Sequence, residues 1–86
     1  MIEDKEIAII SAASKALELM EKNPHVEVEE IIKIVMGNLD AKSEEKIPAI
    51  AAIDAVVKLK RENLNMGNKQ IIQKLLDNYR ARNNPQ

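Results

Sequence analysis

Apolar residues recur at three- and four-residue steps along most of the chain, which is the spacing of helix faces. The pattern predicts four helices. The first is expected over Asp4–Lys22, with Asp4 as N-cap and Glu6 in the first turn, where negative charge suits the helix dipole. Ser11, Ser14, Lys15, Glu18, Glu21 and Lys22 form one polar stripe. Ile9, Ile10, Ala13, Ala16, Leu17 and Met20 lie elsewhere, and Ala12 and Leu19 widen the apolar sector beyond what one packing partner requires. Two neighbours are expected for this helix, one of them from another subunit.

Pro24 disfavours helical geometry at Asn23 and ends the first segment there. A second helix is expected over Glu27–Met36, with Val28, Ile31, Ile32, Val35 and Leu39 as its buried stripe. The segment VEVEEIIKIV also alternates in part and is β-branched, so a strand competes. Helix is preferred because nothing elsewhere offers a partner strand. Gly37 and Asn38 supply the stop, since both accept left-handed backbone angles.

The central segment is Ile47–Leu59, IPAIAAIDAVVKL, apolar but for Asp54 and Lys58. A helix apolar nearly all round is normally buried, so the other segments are expected to pack around this one. Ala51, Asp54, Lys58 and Arg61 fall on a narrow stripe that alone should meet water. Two starts fit the sequence. Ser43, followed by Glu44 and Glu45, reads as a cap, but Pro48 then clashes with the Glu44 carbonyl; alternatively the helix begins at Ile47 with Pro48 in its first position. Glu62–Gly67 reads as a turn, with Leu64 and Met66 tucked inward. Asn68 is the expected cap of a last helix whose stripe is Ile71, Ile72, Leu75, Leu76 and Tyr79. Asn83, Asn84, Pro85 and Gln86 should fray.

The fold class that follows is all-α: one small four-helix, bundle-like domain over residues 1–86, built around residues 47–61. With 45% hydrophobic and 31% charged residues the balance is globular, and with Tyr79 as the single aromatic the core must be aliphatic. Self-association is a common remedy for so small a core. No apolar run approaches the roughly 20 residues that span a bilayer. The start, MIEDKE, lacks a signal peptide's basic region. A cytoplasmic protein without membrane partners is expected.

The chemistry of the sequence is mostly exclusion. Without cysteine there is no disulfide or thiolate site. His25, the one histidine, sits in a Pro-containing loop, which gives neither a metal cluster nor a base beside Ser11, Ser14 or Ser43. Asp54, the one acid inside the apolar helix, reads as a surface residue paired with Lys58 at i,i+4. Two glycines exclude Gly-rich phosphate loops. The chain is expected to be non-enzymatic and to hold no cofactor or metal.

Two functional classes remain. The first is a helical protein-interaction module that associates with itself or another protein. Its expected anchors are Ile7, Ile10 and Leu19 on the first helix and Ile34 and Met36 on the second. The alternative starts from charge. Residues 1–57 carry a net −6 and residues 58–86 a net +5 within a total of −1. Such polarity suits head-to-tail contact between copies, or nucleic acid at the basic end. A helix-turn-helix regulator would read duplex DNA with Lys69, Gln70, Gln73, Lys74 and Arg80, supported by Lys58, Lys60, Arg61 and Arg82. Against it stand a turn longer than usual and a core-facing Tyr79 that offers no stacking platform.

Overall fold

The computed structural model describes residues 4–83. They form four helices, α1 (Asp4–Lys22), α2 (Val28–Asn38), α3 (Ser43–Glu62) and α4 (Asn68–Asn83). Among the described residues there is no strand, so the VEVEEIIKIV segment follows its helical periodicity. The frayed end expected from Asn83 onward falls largely on residues 84–86, which lie outside the described residues; Asn83 itself closes α4.

α3 takes the earlier of its two expected starts, and α3 and α4 each begin one residue ahead of the expected position. Ser43 and Asn68 are the first helical residues and not the caps. Lys42 precedes α3, and its side chain has no acceptor to offer. The Glu45 carboxylate instead folds back to accept the Lys42 N–H at 2.9 Å. The same return bond starts α4, where Gln70 Oε1 accepts the Gly67 N–H at 3.2 Å. Each is the N3 half of a capping box. Beginning α3 at Ser43 puts Pro48 inside the helix. Proline has no N–H for the Glu44 carbonyl, and the helix tolerates that loss near its exposed start. The stop of α2 also differs. No positive φ occurs among the described residues, so Gly37 and Asn38 are the last helical residues and the chain leaves through extended Leu39.

The helices run up, down, up, down. α1 and α3 start together, since Ile7 and Ala8 face Lys42 and Glu45 across one depression. They also end together, with Arg61 donating to the Val26 carbonyl at 2.6 Å. α4 runs back along both, from Asn68 bonded to Glu21 to Arg80 bonded to Glu6. α1 and α3 make the most extensive contact. α2 and α4 each pack on both of them and do not touch one another. The result is flattened, 37 × 28 × 18 Å.

Two features of the packing refine the expected architecture. α1 has more than one neighbour, and its own chain supplies three. α3 is central, in contact with all three other helices. It shares that role with α1 through Ala12, Ala13, Ala16, Ala49 and Ala52, all buried. Alanines let two backbones approach closely, and Ile9, Leu17, Ile31, Ile53, Val56 and Ile71 fill the space around the seam.

Candidate interaction face

The outward stripe of α3 is wider and more apolar than its sequence implied. Ala51, Asp54, Lys58 and Arg61 lie on it, but so do Ile47 and Ile50, which are 78% and 38% exposed. Asp54 and Lys58 pair at 3.1 Å as their spacing requires. Beside Ile47 the surface dips into a groove of about 310 Å³ between the first half of α3 and the last half of α4. Its α3 wall is Ile47, Pro48, Ala51 and Ala55, its floor Ile9 and Ala52, and its α4 wall Leu75 and Tyr79, with Asn78 and Arg82 at the rim. The cause is side-chain size. Three alanines on the α4-facing side of α3 leave space that larger residues would fill.

The position of α4 is fixed from its other side. The Glu6 carboxylate, 5% exposed, accepts Arg80 Nε at 2.8 Å and Nη2 at 3.4 Å. A fork of this kind is directional, so it orients α4 against α1. The carboxylate, through its hydrogen bond first and its charge second, holds the Arg80 guanidinium protonated above its ordinary range. The bond spans nearly the whole chain and has no local signature, so sequence spacing could not reveal it.

The expected interaction anchors divide. Ile7 and Ile34 are exposed, at 52% and 37%. Ile10, Leu19 and Met36 are partly buried against the chain's own core, which claims most of the apolar surplus assigned to an interface. Leu64, expected to tuck inward, is 75% exposed, while Met66 packs on the core. Ile47 and Ile50 were missed because a helix apolar all round was assumed to be covered all round. One signal was present: extending the water-facing stripe back one turn from Ala51 and Asp54 reaches Ile47 and Ile50.

The residues of the nucleic-acid reading are largely engaged within the fold. Arg61 holds the Val26 carbonyl, Lys60 donates to the Met66 carbonyl at 3.2 Å, and Lys58 pairs with Asp54. Gln70 caps α4, Gln73 donates to Asp77 at 3.0 Å, and Arg80 is committed to Glu6. Lys69, Lys74 and Arg82 remain without such a partner among the described residues. α3 and α4 also lie antiparallel, whereas a helix-turn-helix sets its two helices at about 90–120°.

Comparison of the chain with protein-family models, curated proteins and solved structures finds no match. The geometry therefore carries the functional argument. Among the described residues no helix is long and apolar enough to cross a membrane. Among the described residues no three His, Asp or Glu side chains converge as metal ligands would. His25 is exposed, its N–H turned onto Asn23 Oδ1.

Proposed function

We propose that this chain is a non-catalytic helical interaction module that self-associates, with the outward face of α3 and its groove as the contact. The carrying observation is that Ile47 stands exposed on the wall of an apolar cleft, with Ile50 exposed next to it on α3. Contiguous exposed apolar surface of this kind marks interaction sites on soluble folds. Ile7 and Ile34 are exposed singly on other parts of the surface, which is ordinary and needs no partner.

Solution mass by light scattering after size exclusion, across concentration and at low and high salt, tests the reading. A dimer or larger species that persists at high salt supports it. A strict monomer up to high micromolar concentration overturns it. Duplex DNA retained by the chain and released steeply with salt would replace it with the polyanion reading, and Lys69, Lys74 and Arg82 would then carry the contact.

A further inference from the structure

We propose that the occupant of the α3–α4 groove is a second copy of this chain, docked about a two-fold axis with α3 antiparallel to its counterpart and Ala51 at the centre. The inference rests on the self-association reading and adds its geometry. Three observations carry it. First, Glu44, Ala51 and Lys58 are spaced by seven residues, so they lie on one stripe of α3, and all three are exposed. Second, the charges flank the apolar centre symmetrically. Glu44 and Lys58 each stand about 10.5 Å along the axis from Ala51. An antiparallel pair centred on Ala51 therefore sets each Glu44 level with the other copy's Lys58. Glu44 has no ion-pair partner of its own among the described residues, and Lys58 is held only by the exposed Asp54 contact.

Third, the face contains both a knob and a hole. In the same register Ile47 is level with the other copy's Ala55, a wall of that copy's groove. The isoleucine that protrudes from each copy thus enters the groove of the other. Reciprocity of this kind is what a two-fold interface requires. Ala51 against Ala51 permits the close helix approach that seats both isoleucines. A parallel pairing would instead bring Glu44 to Glu44 and Lys58 to Lys58, which is repulsive at both ends.

The absence of native cysteine makes the geometry directly testable. Ala51→Cys should form an intermolecular disulfide on mild oxidation of the full chain, while Ser14→Cys, on the outer side of α1, should not. Ile47→Asp should give a monomer with unchanged helical circular dichroism. Glu44→Lys and Lys58→Glu should each weaken the dimer about tenfold, since each converts two attractive pairs to repulsive ones. Combining them should restore the affinity to near the wild-type value. A dimer that forms in the wild type but neither cross-links through position 51 nor recovers in the double charge exchange overturns this arrangement and leaves self-association standing. A wild-type monomer overturns both.

Discussion

At the scale of single residues, two positions are not explained by their local sequence. Glu6 is a carboxylate in the first turn of α1, where it suits the helix dipole, yet it is buried against α4 by Arg80. An acid buried this deeply is costly unless paired. Arg80→Ala should therefore lower the melting temperature more than Lys58→Ala, whose pair is exposed. Adding Glu6→Met to Arg80→Ala should recover part of the loss, because the second change removes a carboxylate buried without its guanidinium. Thermal melts of the four proteins decide it, and equal effects of the two single changes would refute the assignment. The pH dependence has a definite sign. The arginine's affinity for its proton is raised in the folded chain, so its contribution is fully present below the ordinary arginine range and is lost only as strong alkali titrates it. Gly37 is the second case. It is helical with negative φ, and nothing lies within 4 Å of where a Cβ would stand. Gly37→Ala should stabilise by about 0.5–1 kcal/mol in urea denaturation.

At the scale of elements, α3 begins one backbone hydrogen bond short and compensates for it. Pro48 removes the donor for the Glu44 carbonyl, and Glu45 secures the first turn by capping Lys42. Glu45→Ala should cost about 1 kcal/mol, and Glu45→Gln, which keeps an acceptor oxygen, much less. Equal losses for the two would show that the carboxylate acts by something other than that bond. Ser43 and Asn68 are residue types that favour the cap position, yet each stands one residue inside its helix. What moved them was the partner three residues on: Glu45 and Gln70 reach back to a backbone N–H and need no cap side chain.

At the scale of the molecule, stability concentrates in the α1–α3 seam. Ala12, Ala13, Ala16 and Ala49 are fully buried there. A larger side chain has nowhere to go without separating the two helices. Ala16→Leu should cost about 1–3 kcal/mol by overpacking. Ala51→Leu, on the outward face of the same fold, should leave monomer stability nearly unchanged. Urea titrations at low protein concentration separate the two, and similar losses at both sites would argue against the seam as the centre.

The elements are legible from local spacing alone. Periodicity located four helices, the polar stripe of α1, the pairing of Asp54 with Lys58 and the exposed loop at His25, because all of these depend on residues within a few positions of one another. The sequence also narrowed the chemistry, since residue types that are absent cannot act. Only the tertiary structure decided which apolar stripes are covered. Ile10, Leu19 and Met36 look as free as Ile47 and Ile50 when each helix is read alone. The first three are claimed by neighbours that the up-and-down path brings alongside, while among the described residues no helix covers the outward side of α3, where the last two face water. Which helices meet, and where a gap remains between them, is set by contacts between residues far apart in the chain. Local spacing carries no record of those contacts.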